Sequence, residues 1–340
     1  KGVVNMFVIG IPTLNEADNI SRLVKQIDEY AVNLGKEIII INSDSNSTDG
    51  TPQIFLETKT YNTKISIVSK LKGKGYNVRN IFEYTINNFS SFSGLILIDG
   101  DVVSLEKIWL EKMFMSIESG YDLIIPNYAR KFFEGNATNH FIYPMLVKIF
   151  KSDVPYQCIS GDFGFSKELV KELTLKCNWH KYSKGYGIDI FLTLTAMLKS
   201  YKIKEIDLQS KIHKKSFGKI EKIFLEVSQS FFETIKDDFS NKDRWILNID
   251  FENHLRRFIH SNDIPSNDDI ENLKIKALFL LQEENKYSYG LLDVEWDRIL
   301  SNAVKNIYNY SSEEHSVHLL PFYLLRIYNY LKYSKLKVSN

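Results

Sequence analysis

The chain has 340 residues, with 43 basic and 42 acidic side chains, a formal net charge of +1, and a composition that is 44% hydrophobic and 25% charged. That length admits one large domain or two ordinary ones with ample core material, and the balanced charge excludes a global attraction to nucleic acid or to anionic membranes. No apolar run reaches the ~18 residues that span a bilayer, no secretory signal is visible, and only Cys158 and Cys177 occur, so a disulfide framework is not expected and a cytoplasmic location is.

The first apolar run is "MFVIGI" (6–11), followed by "EIIII" (37–41), "KISIV" (64–68), "GLILI" (94–98) and "YDLII" (121–125). Runs that are β-branched and continuous read as strands covered on both faces. Helical patterns lie between them. Asn15 is expected to cap the first, with Glu16 and Asp18 in the first turn, where the helix dipole favours anions. Thr51-Pro52 reads as an N-cap followed by proline at the first helical position. This alternation predicts an α/β fold with a mostly parallel sheet flanked by helices, and such sheets bind ligands at the carboxyl ends of their strands.

"IKEIDLQSKI" (203–212) reads as a further strand. After about residue 216 the strand signal stops. Ile220, Ile223, Phe224, Val227 and Phe231 recur at helical spacing, and so do Ile270, Leu273, Ala277 and Leu281. "SNDIPSNDD" (261–269) reads as a loop or linker. The aromatic, basic tail "HSVHLLPFYLLRIYNYLKYSKLK" (315–337) reads as a helix packed on the domain or on a partner subunit, with docking to a membrane surface as the alternative. The expected organisation is a catalytic domain over 1–216 and a helical region over 217–340, the latter offering a homodimer surface.

"LILIDGDVVS" (95–104) brings Asp99 and Asp101 to the end of a buried strand. Residues i and i+2 of an extended chain point the same way, so the two carboxylates are expected to share one side, with Gly100 keeping the backbone low for something bulky to approach. Two unpaired carboxylates this close repel, and one stays protonated. A divalent cation resolves the conflict; oxygen ligands with open positions suit Mg²⁺ or Mn²⁺ carrying phosphate. The alternative is a simple Asp-Gly turn. Three other segments keep company with the pair at predicted strand ends. "IGIPTLNEADNI" (9–20) breaks a strand at Pro12. "INSDSNSTDGT" (41–51) offers hydroxyls and carboxylates to a base and a ribose. "KLKGKGYNVRN" (70–80) sets Lys72 and Lys74 among glycines, where a cation meets a diphosphate.

With "P-x-L-N-E", "D-S-x-S-T-D-G-T", "G-K-G" and "D-G-D" in that order, residues 5–216 resemble glycosyltransferases of the GT-A fold, in the family 2-like group. "ISGDFGFSKEL" (159–169), "YGIDIFLTLTA" (186–196), "KIHKKSFGKIEKIF" (211–224) and "LLPFYLLRI" (319–327) are similar to mannosylglycerate synthases and glucosyl-3-phosphoglycerate synthases. Those are retaining enzymes that join a nucleotide-activated sugar to glycerate or 3-phosphoglycerate. The resemblance implies a UDP- or GDP-hexose donor and a small hydroxy-acid acceptor. It implies that Pro12, Leu14, Glu16, Asp44 and Ser45 line the nucleoside pocket and that Lys74 sits near the diphosphate. Asp99 would contact ribose or sugar, while Asp101 and His213 would bind the metal. Arg130, Asp162 and Asp189 would hold the sugar hydroxyls, and Thr138 would lie at the acceptor. One departure stands out: where the phosphoglycerate enzymes have arginine in "G-R-x-T", this chain has "GNAT", with Asn136 in that place. Asparagine cannot supply a guanidinium's charge or its rigid fork, so either the acceptor carries less negative charge or another cation such as Lys215 serves it.

Read without the resemblance, His213 is a solvated histidine between lysines, Asp189 a helix cap, and Arg130 a partner of Glu134. His140, His180, His254, His260, His315 and His318 lack metal-ligand spacing and read as structural. An inverting family 2 enzyme acting on a polysaccharide, lipid or protein, with Asp189 as general base, is the main alternative. A nucleotidyltransferase would need a glycine-rich, arginine-lysine signature after the first strand, and "IGIPTLNEADN" has none. A sugar-nucleotide-binding regulator is the non-enzymatic alternative.

Overall fold

The computed structural model describes residues 6–212, 217–253, 255–259, 261, 264–282, 287 and 290–338. Five strands fall on the expected runs: β1 (Phe7–Thr13), β2 (Ile38–Asp44), β3 (Thr63–Val68), β4 (Gly94–Leu97) and β5 (Leu123–Lys131). β6 (Phe163–Ser166), β7 (Lys202–Ser210), β8 (Asn248–Phe251) and β9 (Phe258–Ile259) follow. They join in the order β3-β2-β1-β4-β6-β5-β7-β8, with β9 added beside the end of β5. β6 runs antiparallel to β4 and β5, and the other pairings are parallel. The fold is thus the expected α/β architecture, a mixed sheet flanked by helices.

Two strands lie beyond residue 216, where none was expected. β8 is half-exposed "NIDF" and β9 is two residues long. Neither carries a continuous apolar run, so edge pairing alone defines them.

The helices are α1 (Ile20–Asn33), α2 (Thr51–Glu57), α3 (Lys74–Asn88), α4 (Lys107–Glu118), α5 (Tyr143–Phe150), α6 (Lys167–Leu175), α7 (Ile188–Leu198), α8 (Ile220–Lys236), α9 (Asn267–Leu281), α10 (Asp293–Lys305) and α11 (Ser312–Val338). The sheet divides its apolar residues by strand alternation. Phe7, Ile9, Ile96, Ile98 and Ile124 pack with α1, α2 and α4. Val8, Leu95, Leu97, Leu123 and Ile125 face the larger layer that contains α3 and α5 to α11. Each fully buried large apolar side chain contributes about 1.5–3 kcal/mol to that packing.

Local geometry corrects several boundaries. Asn15 does not cap α1: Asn19 precedes the helix, and Asn15 has a left-handed backbone, φ 57°. Gly50, at φ 86°, precedes α2, so Thr51 is already helical and Pro52 lies in the first turn. The expected loop at 261–269 ends early, because Ser266 caps α9 by accepting the Asp269 N–H at 3.0 Å. The aromatic tail is α11, and it packs on its own chain. Tyr323 stacks on Phe224 of α8 at 4.0 Å, and Leu324, Ile327 and Leu331 are buried. Among the described residues no helix is long and apolar enough to cross a membrane.

Candidate active site

The ends of β1 and β2 fasten to each other. Asp44 is fully buried; its carboxylate accepts the Thr13 hydroxyl, the Ser47 hydroxyl and the Ser47 N–H, each at 2.7 Å. The N–H groups of Asn15, Glu16 and Ala17 donate to Ser47, Thr51 and Asp49 at 2.7–3.0 Å. These bonds explain the strained Asn15: its side-chain oxygen accepts the Thr48 N–H at 2.9 Å, which a left-handed asparagine can do locally. Ser45 is buried and accepts from Asn77 at 2.9 Å. Pro12 is buried at the end of β1, while Leu14, just beyond the strand, is 46% exposed.

β4 stops at Leu97, and Asp99 to Asp101 form a turn closed by the Val102 N–H on the Asp99 carbonyl at 3.2 Å. The strand alternation used to orient the pair therefore does not apply. Gly100 serves the chain itself, since a Cβ there would meet Thr13 and the Pro12 carbonyl. Asn19 fixes the same turn by donating to the carbonyls of Gly100 and Val102 at 2.8 and 2.9 Å.

The expected charge conflict is resolved by lysines. Asp99 lies between two ammonium groups: Lys74 at 2.8 Å on Oδ1 and Lys211 at 3.0 Å on Oδ2. Lys74 also contacts both oxygens of Asp189, at 3.0 and 3.2 Å. Lys211 pairs with Asp162 at 2.7 Å and donates to the Ser160 carbonyl at 3.2 Å. Asp162 is fully buried and accepts the Asp99 N–H and the Tyr128 hydroxyl, both at 2.8 Å. Burial opposes the charge on Asp99, but Lys211 and Lys74 outweigh it and hold that carboxyl well below the usual range. Burial likewise disfavours charge on Lys74, yet Asp189 and Asp99 raise its pKa. Asp189 itself is pushed up by burial, against the pull of Lys74. Asp101 differs. It is partly buried and has no hydrogen bond or ion pair among the described residues, and burial and the nearby Asp99 raise its pKa.

Topology brings these groups together. The ends of β4 and β7 deliver Asp99 and Lys211. Because β6 runs against its neighbours, Asp162, just before it, arrives at the same edge. Lys74 and Asp189 enter from the first turns of α3 and α7. Gly161 has φ 90°, and a Cβ would run into the Asp99 carboxylate and Lys211, so glycine is needed on both counts. Gly73 and Gly75 admit backbone rather than ligand: a Cβ on either would strike the carbonyls of Lys184 and Ser183. That 183–187 segment is seated on α8, where Glu226 accepts the Tyr186 N–H at 2.8 Å and Ser230 donates to the Gly187 carbonyl at 2.7 Å.

Further out, Arg130 donates to Gln157 at 2.9 Å and to the Ser160 carbonyl at 3.2 Å, with its guanidinium 5.6 Å from the Tyr128 ring centre. Beyond it, Asn139 N–H bonds the Gly135 carbonyl at 2.8 Å and closes the turn that carries Asn136 and Thr138. Both are buried, and Thr138 opens a π-helical turn, Thr138–Ile142. Asn136 Nδ2 donates to the Phe133 carbonyl at 2.9 Å, and its Oδ1 is buried without a hydrogen-bond partner among the described residues. His213 and Lys215 lie outside the described residues.

Sequence reasoning missed Lys211, which has the shortest of these ion pairs, to Asp162, and it missed Tyr128. A lysine at the end of a strand that also ends in a predicted site was the available signal. It also aimed Lys74 at a diphosphate without foreseeing its two carboxylate partners.

This arrangement, acids and lysines along the carboxyl edge of a mostly parallel sheet interrupted by one reversed strand, defines a GT-A-type glycosyltransferase. Residues 8–174 match the family model described as glycosyl transferase family 2, so the chain carries a domain of that family and is a glycosyltransferase. Solved structures similar to it include glucosyl-3-phosphoglycerate synthase from Mycobacterium tuberculosis in complex with Mg²⁺ and UDP, at a TM-score of 0.54 and 19% identity over 68% of this chain and 79% of that one. The same enzyme with Mn²⁺, UDP-glucose and phosphoglyceric acid aligns at 0.53 and 17%, with the same coverage. With Mn²⁺, UDP-glucose and glycerol 3-phosphate it aligns at 0.51 and 19%, again over 68% and 79%. At these identities the likeness is one of fold.

Proposed function

We propose that the chain transfers a hexose from a UDP-sugar to a small hydroxy-acid acceptor, in the cytoplasm and with retention at the anomeric carbon. The observation that carries this reading is the interlocked Lys74–Asp99–Lys211–Asp162 cluster beside Asp101, which has no such partner among the described residues. The similar enzyme crystallised with UDP-glucose and with phosphoglyceric acid or glycerol 3-phosphate supports the substrate classes. In this reading Pro12, Leu14, Glu16, Asp44 and Ser45 shape the nucleoside pocket, with exposed Leu14 against the base. Asp99, Arg130, Asp162 and Asp189 orient the hexose hydroxyls, Asn136 and Thr138 face the acceptor, and Lys215, outside the described residues, would be a further acceptor cation.

The donor set fits a divalent cation in one respect that can be read directly. Asp101 is a partly buried carboxylate with no donor on it among the described residues, the state from which an oxygen ligand serves Mg²⁺ or Mn²⁺. Among the described residues no group of three or more His, Cys, Asp or Glu side chains is arranged to hold a metal, so Asp101 and His213 would hold it together with the donor's phosphates. Such an ion, when bound, supplies Lewis-acid stabilisation of the leaving diphosphate.

The remaining chemistry belongs to the chain. Lys74 supplies a fixed positive charge in a site where a 4 Å charge pair is worth ~4 kcal/mol at an effective dielectric of 20, against ~1 in water. It contacts both oxygens of Asp189, which holds that carboxylate in one position. That favours an orienting Asp189 and a retaining course, in which the departing phosphate accepts the acceptor proton on the same face.

The test is turnover of UDP-glucose with Mn²⁺ and glycerate, 3-phosphoglycerate or glycerol 3-phosphate, with GDP-sugars run in parallel. Product formed with an α linkage from an α donor, and abolished by EDTA, is the expected result. A β product establishes the inverting alternative, and no transfer to any of these acids overturns the acceptor class.

A further inference from the structure

The segment that joins β8 to β9 carries two adjacent arginines with opposite fates. Arg257 is committed to the fold. Its Nη2 donates to the carbonyls of Asn127 and Leu208 at 2.9 and 2.6 Å and pairs with Asp207. Arg256 is exposed and makes no hydrogen bond or ion pair among the described residues. Two aromatic faces hold it instead, with the guanidinium 4.4 Å from the Phe258 ring centre and 5.8 Å from that of Tyr156.

Both rings lead to the turn at 135–139. Phe258 is in register with Arg130. The Tyr156 hydroxyl donates to Asn139 Oδ1 at 2.7 Å. A Cβ on Gly135 would lie 3.4 Å from the Asn139 amide nitrogen and 3.6 Å from Arg130 Cδ. Arg130 and Arg256 therefore flank a turn whose own contribution, Asn136 and Thr138, is polar and uncharged. A carboxylate or phosphate seated there needs a cation that is not already neutralised. Arg256 meets that need, and a guanidinium lying on aromatic rings is held for bidentate anion contact at little further cost in side-chain freedom.

We propose that Arg256 determines specificity for the anionic group of the acceptor. The inference rests on the small hydroxy-acid acceptor proposed above and names the residue that reads its charge. Arg256 acts on binding of that substrate and takes no part in bond making.

The experiment compares the wild-type chain with Arg256→Ala and Arg256→Lys on whichever of glycerate, 3-phosphoglycerate and glycerol 3-phosphate the wild type uses best. Loss of a charge-assisted contact is expected to raise the acceptor KM about tenfold to a hundredfold in Arg256→Ala, with Arg256→Lys between the two. The KM for UDP-glucose is expected to hold, and calorimetric binding of UDP-glucose verifies that each variant is folded. An acceptor KM unchanged in folded Arg256→Ala overturns the proposal while the transfer reading stands. A wild type that uses none of these acids, or that uses glycerol equally well, overturns the acceptor reading and this inference with it.

Discussion

The two parts of the candidate site are built on opposite terms. On the side formed by the ends of β1, β2 and β4, polar groups are fastened to each other: Asp44 by Thr13 and Ser47, Asp99 by Lys74 and Lys211, Asp162 by Lys211, Tyr128 and a backbone N–H. On the side formed by the 135–140 turn and the β8–β9 segment, among the described residues, Asn136 Oδ1 and His140 Nε2 are buried without hydrogen-bond partners and Arg256 is unpaired. A site that must receive a flexible, charged donor in one orientation gains from groups already locked in place. Under the proposed function, a side that discriminates among small acceptors keeps its polar groups available, at a cost in stability.

The comparison can be broken most forcefully at Lys211. Lys211→Met strips the counter-charge from fully buried Asp162 and from Asp99, and removing one partner of a buried pair costs about 3–5 kcal/mol. A large fall in the denaturation midpoint is expected, and adding Asp162→Asn should recover part of it. A midpoint unchanged in the single variant would show that the cluster is not what holds this edge.

The next effect is on activity. Asp101→Ala should reduce Mn²⁺-dependent turnover at least about a hundredfold with little loss of thermal stability, because Asp101 makes no hydrogen bond or ion pair among the described residues. Full turnover in that variant, insensitive to EDTA, would remove Asp101 from the metal site.

Gly161→Ala probes the locked side more gently. The φ of 90° and the collision with Asp99 and Lys211 are expected to cost about 1–3 kcal/mol and to weaken donor binding, measured by urea melts and calorimetry. Stability equal to wild type would mean that the loop relaxes away from the cluster.

The smallest effect belongs to the open side. Burial, with Arg326 and Arg256 nearby, holds His140 well below its usual pKa of 6.5. A histidine that stays neutral when folded leaves stability intact above that value. Stability is then lost as pH falls through it, because the unfolded chain takes up the proton first, at a slope of up to about 1.4 kcal/mol per pH unit. His140→Phe, which keeps a ring against Tyr330, should flatten that acid limb between about pH 6.5 and 5 in chemical-denaturation series. An unaltered slope would place the acid sensitivity elsewhere.

The parallel strands were legible because double-sided burial writes itself as continuous β-branched runs, and Asp99, Asp101 and Lys74 because strand ends are where loops gather chemistry. What stayed hidden depends on direction and partnership. Nothing in "FGFS" announces that β6 is reversed, yet that reversal is what brings Asp162 to Lys211. Gly100 looked like room for a ligand and proved to be room for the chain itself, and Gly73 and Gly75 admit backbone too, since local sequence does not say which surface will approach. β8 and β9 escaped notice because short edge strands bury too little to leave an apolar pattern.

The seat that α8 provides for the 183–187 segment reaches further than local packing. Lys74 depends on it through Gly73 and Gly75, which flank that lysine at the start of α3, and Asp189 lies two residues after it, so a single helix from the C-terminal part keeps an ammonium and its counter-ion in step. A polypeptide cut at residue 216 would forfeit that buttress, and a substitution at Glu226 or Ser230 should be felt as a catalytic lesion by residues it never touches.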